Sequence, residues 1–527
     1  MRRLSLALIL LASALAWPGC ADSSVIAKGP ILQCPGPHEM TILWECGADV
    51  GTAVVRYGKG NLDASPQGQA AEAKEAQVKT IEVAAGPEVL SGKSKTDSTK
   101  VACRRYEARL AGLDAAATYN YRVEIGGKSV SSAAFTTFPE KDSPAGGKFT
   151  FVAYGDSRTN GAIHAKVARQ FARLNPAFVL HSGDYVLSGP YWQNWKEMFF
   201  DPTRKVFDRI PLWPARGNHE GRGPEFLQNF ATPQGKCWYS FNYGQAHFIC
   251  LDMYDDPEMF DWCRQDLEQC KARWKIAFFH APIYNINDHA SAARRDTYLP
   301  LFRKHGVDLV IAGHSHLYER FYPLRPSYDQ DSKPITHIVS GGGGAPGRGE
   351  LLSDPYLAAS AERPHFLAIT VDGDKLTCRA IDADGKVFDS LAMTHQGDAY
   401  DDAYMKLVKD ETPLQLATVQ LTMRSKASPT PGRPYTFDLH IPPSGVPGEV
   451  RVTLRIAPAC AKSFKMTPEA VQAVVKPGEK CLVPITIITS QGVKRVQDWL
   501  EPELYFEYQY EYGDYRGTAV KAAKYWW

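Results

Sequence analysis

Gly-Asn-His-Glu at residues 217–220 and Gly-His-Ser-His at residues 313–316 are the stretches that decide the fold of this 527-residue chain. Each follows a mostly apolar run, residues 211–215 and 308–312, and such a short run is typical of a buried β-strand. Three further polar groups follow similar runs, with helical stretches between most of them: Gly155-Asp156, Gly183-Asp184 and His280. The pattern predicts an α/β domain with polar residues at the carboxyl ends of its strands, where open α/β sheets bind ligands.

Six of these residues carry oxygen or imidazole ligand atoms: Asp156, Asp184, Asn218, His280, His314 and His316. Two carboxylates, one amide and three imidazoles are enough to hold two adjacent metal ions. Mixed nitrogen and oxygen ligation suits iron, zinc or manganese better than magnesium. A metal pair clamps a phosphoryl group and lowers the pKa of a bridging water, which gives hydroxide near neutral pH. The residues therefore predict a dinuclear centre of divalent or trivalent ions that acts on phosphate esters.

The motifs also resemble those of a known family, the calcineurin-like metallophosphoesterases. The resemblance covers residues 148 to 395 and includes Gly183-Asp184-Tyr185 and Phe279-His280-Ala281-Pro282. The final motif, Gly313-His-Ser-His-Leu-Tyr-Glu-Arg320, is especially similar to the purple acid phosphatase branch. Gly29-Pro30-Ile31-Leu32-Gln33 resembles the start of the fibronectin type III-like domain that precedes catalysis in that branch.

The resemblance implies a division of labour among the ligands. Asp184 would bridge both metals. Asp156 and His316 would bind the first metal, and Asn218, His280 and His314 would bind the second. His219 would donate to the phosphate or protonate the leaving group, and Glu220 would orient His219.

Two positions depart from the family pattern at the first metal. Leu187 stands where purple acid phosphatases have a tyrosine, and Arg158 stands where many other members have the histidine of Asp-x-His. His164, at the start of the next predicted helix, is a further candidate ligand; the alternative is an exposed helix histidine. Arg158 is a candidate phosphate-binding residue because guanidinium groups match phosphate oxygens, and the alternative is a surface ion pair.

The fold class predicted is a multidomain chain. A central α/β metallophosphoesterase sandwich of mixed sheets flanked by helices, residues 148–395, would lie between two β-sandwiches. The N-terminal one, residues 25–140, is the fibronectin type III-like domain, and the C-terminal one covers residues 400–527. Strict alternation of apolar and polar residues indicates both β-sandwiches. The sequence assigns no chemistry to the C-terminal domain.

The first 20 residues read as a signal peptide, because Arg2 and Arg3 precede the largely apolar run 6–15. The protein is therefore expected to be exported, as a periplasmic, cell-surface or extracellular protein. No later apolar run is long enough to span a bilayer. Cleavage before Cys20 would allow a lipid anchor, but Trp17 departs from the usual lipobox, so both forms stay open. Among the other ten cysteines, Cys460 and Cys481 are the expected disulfide pair.

The charge composition argues against nucleic-acid binding. The formal net charge is +2 with mixed signs, so no basic patch for nucleic acid is expected. A small phosphate ester is the expected substrate, and a phosphomonoesterase is the leading interpretation. The alternatives are a phosphodiesterase or nucleotide-cleaving enzyme with the same centre, and a non-catalytic surface-binding protein. The sequence does not indicate the oligomeric state.

Overall fold

The structure, a computed structural model, describes most of the chain. The described residues are 25–47, 50, 52–60, 62, 74–76, 78–84, 102–141, 143, 146–286, 289–347, 354–424, 429–496 and 499–525. The expected signal peptide, residues 1–20, and the expected anchor Cys20 lie outside them. None of the helices in the described ranges has the length and apolar character needed to cross a membrane.

The N-terminal part is built from strands alone. They are β1 (Ile26–Gln33), β2 (Glu39–Gly47), β3 (Ala53–Gly58), β4 (Lys74–Ala76), β5 (Val78–Ala84), β6 (Ala102–Ala111), β7 (Thr118–Ile125) and β8 (Lys128–Thr136). They form two four-stranded sheets with the orders β1-β2-β6-β5 and β4-β3-β7-β8. Every second side chain of β7 is buried, which is the alternation that one core-facing side of a sheet requires. Trp44 and Tyr106 from the first sheet and Tyr121 from the second share one core, as in a β-sandwich.

The central part contains two seven-stranded sheets. In chain order the strands are β9 (Lys148–Tyr154), β10 (Val179–His181), β11 (Leu212–Pro214), β12 (Tyr239–Tyr243), β13 (Ala246–Cys250), β14 (Trp274–Phe279), β15 (Leu309–Ala312), β16 (Tyr318–Phe321), β17 (Leu324–Arg325), β18 (Thr336–Ser340), β19 (Leu357–Ala361), β20 (His365–Asp372), β21 (Lys375–Asp382), β22 (Val387–Gln396) and β23 (Ala399–Tyr400). The orders are β11-β10-β9-β20-β21-β22-β23 and β12-β13-β14-β15-β18-β16-β19. β9, β10 and β11 are parallel, as are β13, β14, β15 and β18. Both sheets are therefore mixed, as predicted.

Helices connect the strands, and the longest of them pack on the outer faces of the two sheets. They are α1 (Gly161–Ala172), α2 (Trp192–Asn194), which continues through a π-helical turn (Trp195–Phe200), α3 (Asp201–Thr203), α4 (Glu225–Asn229), α5 (Pro257–Gln269), α6 (Ala292–Lys304), α7 (Asp402–Met405) and α8 (Thr412–Ala417). Side-chain caps start four of them: Asn160 accepts from the backbone of α1, Asp256 from α5, Ser291 from α6 and Asp401 from α7. α1 packs on the first sheet, and α5 and α6 pack on the second. The two sheets enclose a shared apolar core between them, which gives the predicted sandwich of mixed sheets flanked by helices.

The C-terminal part is again built mainly from strands, and β24 (Lys409–Asp410) precedes it beside β17. Its strands are β25 (Leu421–Arg424), β26 (Pro434–Ile441), β27 (Val450–Ile456), β28 (Phe464–Met466), β29 (Val471–Val475), β30 (Cys481–Thr489), β31 (Lys494–Val496), β32 (Trp499–Glu501), β33 (Tyr505–Tyr512) and β34 (Tyr515–Tyr525). Eight of them form one sheet, in the order β28-β30-β26-β25-β34-β33-β27-β29, around a single core.

Two features of this region were not expected from the sequence. Tyr400 and Tyr404 pack into the core between the two central sheets, so the segment that follows residue 400 rests on the central domain. The expected disulfide is wrong, because Cys460 and Cys481 are both free. The thiol of Cys460 instead donates to the carbonyl oxygen of Glu503 at 3.4 Å. Every cysteine in the described ranges is free, and most are buried.

Candidate metal centre

The predicted ligands meet at the carboxyl ends of the parallel strands. Asp156 follows β9, Asp184 follows β10, Asn218 follows β11, His280 follows β14, and His314 and His316 follow β15. Asp156, Asp184 and His314 have φ angles of 56°, 58° and 70°. This left-handed region is unfavourable for residues with a Cβ, and such strain concentrates at functional sites. The fold therefore holds three of the six side chains in conformations that local preference alone would not choose.

Glycines allow the ligand-bearing turns to pack against each other. A Cβ on Gly217 would overlap the carboxylate and backbone nitrogen of Asp184. A Cβ on Gly341 would overlap the carbonyl oxygen of Ser315 and lie 2.9 Å from Asp156 Oδ2. The turns approach so closely only because these two positions lack side chains.

The first set of ligands is the histidine group, which consists of Asp184, Asn218, His280 and His314. His280 Nε2 lies 2.9 Å from Asn218 Oδ1, 3.1 Å from His314 Nδ1 and 3.2 Å from Asp184 Oδ1. The other nitrogen of His280, Nδ1, lies 2.9 Å from the carbonyl oxygen of Ser182. A carbonyl oxygen only accepts, so Nδ1 carries the hydrogen in the neutral ring and Nε2 presents a lone pair. Lone pairs of four side chains thus converge on one place, and a cation there would satisfy all of them.

The second set is the aspartate group, which consists of Asp156, Asp184 and His316. Its ligand atoms lie within 4.8 Å of one another, as do those of Asp184, His280 and His314. Asp156 is fully buried, and its Oδ1 has no hydrogen-bond partner among the described residues. Its Oδ2 accepts the backbone N–H of His314 at 2.8 Å. Oδ1 lies 3.6 Å from His316 Nε2, too far for a hydrogen bond. A buried carboxylate oxygen without a hydrogen bond is costly, so this group also favours a positive charge beside it.

Arg158 brings a positive charge to the aspartate group. Its Nε donates to Asp184 Oδ2 at 3.3 Å, and its Nη2 lies 3.1 Å from His316 Nε2. The side chain is 9% exposed. The expected alternative of a surface ion pair is therefore wrong, because the guanidinium is buried among the ligands.

His219 and Glu220 lie beside the ligands in different ways. The His219 ring is held by a 2.6 Å contact between Nδ1 and the carbonyl oxygen of Leu187, and its Nε2 lies 3.8 Å from Asp184 Oδ2. Glu220 is fully buried and accepts backbone N–H groups of Gly217, Asp184 and Tyr185 at 2.7–2.9 Å. The structure thus corrects the role expected for Glu220, since its carboxylate fixes the two ligand-bearing turns and the Leu187 carbonyl orients His219.

Burial and the crowded charges shift the pKa values in the site. Burial raises the pKa of Asp156 well above its usual value and that of Glu220 to about 7, and the charge of Asp184 acts in the same direction on both. Burial also opposes ionisation of Asp184, but His280 and His219 hold the pKa of that carboxyl well below its usual range. Burial lowers the pKa of His280, yet the carboxylates around it raise that pKa to about 9. The electrostatic field of the buried carboxylates therefore favours a cation among the ligand side chains.

The structure does not bring His164 to the cluster. Its Nε2 lies 2.9 Å from Tyr154 Oη and its Nδ1 lies 2.9 Å from the carbonyl oxygen of Met198. Both ring nitrogens are thus used within the fold, and the ring stacks on Phe199. The alternative of an exposed histidine is wrong as well, since His164 is completely buried.

Three side chains at the edge of the site were not predicted from the sequence. Tyr254 Oη lies 3.5 Å from the carbonyl oxygen of Asn218, and the Arg222 guanidinium lies 4.0 Å from the centre of the Tyr254 ring. The ring of His289 lies 5.1 Å from that of His314. Arg222 is only four residues from Asn218 and was open to prediction, whereas the fold alone brings Tyr254 and His289 here.

In a comparison with known protein families, residues 151–318 match the calcineurin-like phosphoesterase family. An uncharacterized protein of Mycobacterium tuberculosis is 28% identical over 295 residues, which cover 46% of this chain and 54% of that protein. Purple acid phosphatase 18 of Arabidopsis thaliana is 26% identical over 267 residues, 46% of this chain and 59% of that protein. This chain therefore spans little more than half the length of these relatives. Purple acid phosphatase PPD1 from yellow lupin (Lupinus luteus) seeds shares the fold, with a TM-score of 0.58 at 19% identity over 70% of this chain and 74% of that one.

Proposed function

We propose that this protein hydrolyses phosphate esters at a metal centre. Residues 151–318 match the calcineurin-like phosphoesterase family, and the chain is similar in sequence to purple acid phosphatases. One observation carries the proposal: the lone pairs of Asp184, Asn218, His280 and His314 converge at the carboxyl edge of the sheets. Their nitrogen and oxygen atoms suit iron, zinc or manganese.

A metal ion in this place supplies Lewis-acid stabilisation of phosphoryl oxygens and lowers the pKa of water. In its doubly protonated, cationic form, His219 is proposed to donate the Nε2 proton to the leaving oxygen, which leaves the neutral ring with its hydrogen on Nδ1. Because Nδ1 is held by the Leu187 carbonyl, Nε2 is the atom that faces the ligands, and the side chain is 25% exposed, so substrate can reach it. Glu220 keeps Asp184 and Asn218 in position through the backbone of their turns.

The substrate is proposed to be a small phosphate monoester. The Tyr-Glu-Arg sequence at residues 318–320, which follows the last ligands as in purple acid phosphatases, supports this choice over a diester. The basic and apolar pattern of the first 20 residues supports export of the protein.

Hydrolysis of p-nitrophenyl phosphate and bis-p-nitrophenyl phosphate, each with iron, zinc or manganese added, tests the proposal. The monoester is expected to be the better substrate, and Asp184→Asn is expected to abolish turnover because this carboxylate belongs to both ligand groups. Asp266→Asn is the matched control, since that carboxylate pairs with His247 away from the site. Preference for the diester would move the assignment to a phosphodiesterase. Turnover of neither ester in any metal would favour the non-catalytic alternative.

A further inference from the structure

The two ligand groups differ in one respect: an arginine lies within one of them. Arg158 reaches the aspartate group with two nitrogens, Nε at 3.3 Å from Asp184 Oδ2 and Nη2 at 3.1 Å from His316 Nε2. Its third nitrogen, Nη1, lies 3.4 Å from Thr159 Oγ1. The histidine group has four ligand side chains, of which only Asp184 is shared with the aspartate group, and needs no arginine to complete it.

The tautomer of His316 shows that Arg158 takes up the lone pair on His316 Nε2. Nδ1 of His316 lies 2.7 Å from the carbonyl oxygen of Pro346, so this nitrogen carries the hydrogen. A guanidinium has no acceptor atom, so Nη2 donates to Nε2 of His316. The lone pair that His316 would offer to a metal ion is therefore already used by Arg158.

A guanidinium and a metal ion exclude each other at this place. A metal ion bonded to a histidine nitrogen lies about 2.0–2.1 Å from it. An ion on the same lone pair would fall inside the contact distance of Nη2, which is 3.1 Å from Nε2. Two positive charges so close together, with little water around them, would also repel each other strongly.

The described residues also offer few side chains that would hold an ion against this competition. The aspartate group has three ligand residues, and one of them, Asp184, is shared with the histidine group. Leu187, at the position of the expected tyrosine, is 45% exposed and has no ligand atom. His164 is committed to Tyr154 and Met198.

We propose that the Arg158 guanidinium is the resident cation of the aspartate group, so that the protein holds a single tightly bound metal ion, in the histidine group. This inference rests on the proposed metal centre but not on the ester that is cleaved. It replaces the expected metal pair by one ion and one fixed guanidinium. Arg158 would then bind phosphate, as expected from the sequence, while it lies within the ligand cluster.

Metal content measured on purified protein after loading with excess manganese and gel filtration tests this. The wild type is expected to retain one ion per chain. Arg158→His, which restores an Asp-x-His motif, is expected to retain two. Arg273→His is the matched control and should retain one, because Arg273 pairs with Asp374 just before β14, at the opposite end of that strand from His280.

Electron paramagnetic resonance of the same samples gives a second readout, independent of activity. The wild type should show isolated manganese, and Arg158→His should show a spin-coupled pair. Retention of two ions by the wild type, or of one ion by a folded Arg158→His protein, would overturn the inference and leave the proposed hydrolase intact. A wild type that binds no ion would overturn both.

Discussion

At the residue scale, the chemistry depends on which atoms of each histidine are already engaged. His280 and His316 both turn Nδ1 to a backbone carbonyl, so their Nε2 atoms face the site. His219 does the same with the Leu187 carbonyl. Backbone carbonyls outside the ligand set thus fix the tautomers on which the site relies.

His219→Ala is expected to keep the metal and lose rate. The side chain lies beside Asp184 but is not one of the converging ligands, so metal content should match the wild type. Removal of a general acid typically lowers the rate by about 10²–10⁴. Metal analysis alongside kcat with p-nitrophenyl phosphate checks this, with His247→Ala as the control because that ring pairs with Asp266. Loss of the metal from His219→Ala would show that the ring is a ligand.

The sequence predicted the identity of the clustered residues better than their contacts. All six proposed ligands follow strands, so their convergence could be foreseen from strand ends alone. The place of Arg158 and the role of Glu220 could not, because both depend on which backbone and side-chain atoms the turns bring together. Proximity in sequence suggested that Glu220 serves His219, whereas its carboxylate reaches the turns after β10 and β11.

At the element scale, the site depends on tight turns at one edge of two parallel strand sets. The strands were predictable, because apolar runs mark them and polar residues end them. The positive φ angles of Asp156, Asp184 and His314 were not, because they follow from tertiary packing that overrides local preference.

Gly217→Ala tests this packing. The added Cβ would overlap the Asp184 carboxylate and the backbone, so the turn must move and the ligands with it. We expect the variant to fold and to lose most of its bound metal and its activity. Gly47→Ala is the control, since its Cβ would meet nothing within 4 Å. Full metal content in Gly217→Ala would mean that the turns have more freedom than their contacts indicate.

At the scale of the whole molecule, the α/β domain between β-rich regions and the family relation are confirmed. The sequence did not predict that α7 and α8 follow residue 400 and connect the central region to the C-terminal strands. Leu414 packs on the central domain while Leu416 joins the C-terminal core. Alternation within strands does not reveal which core a short connecting helix will join.

Buried neutral histidines should make the whole fold sensitive to acid. Burial lowers the pKa of His164 and His365 to about 4 and that of His337 to about 3, where nearby Arg303 adds to the effect. The folded state then binds protons less readily than the unfolded state, so stability is present above about pH 6.5 and is lost as the pH falls toward 4.

His337→Leu isolates one of these groups, since neither ring nitrogen of His337 has a hydrogen-bond partner within the described residues. Between pH 7 and 4 the wild type should lose about 3 kcal/mol more unfolding free energy than the variant. Urea titrations across this range measure the difference. An equal loss in both proteins would show that His337 is protonated in the folded state.

The central claim is that Asp184, Asn218, His280 and His314 hold a metal ion. The most direct test is an anomalous difference map. The wild type is crystallised with manganese, and the data are measured at a wavelength at which manganese scatters anomalously. The account predicts a peak bonded to Asp184 Oδ1, Asn218 Oδ1, His280 Nε2 and His314 Nδ1. A map with no peak among these four atoms, from protein that folds and was exposed to excess metal, would contradict it.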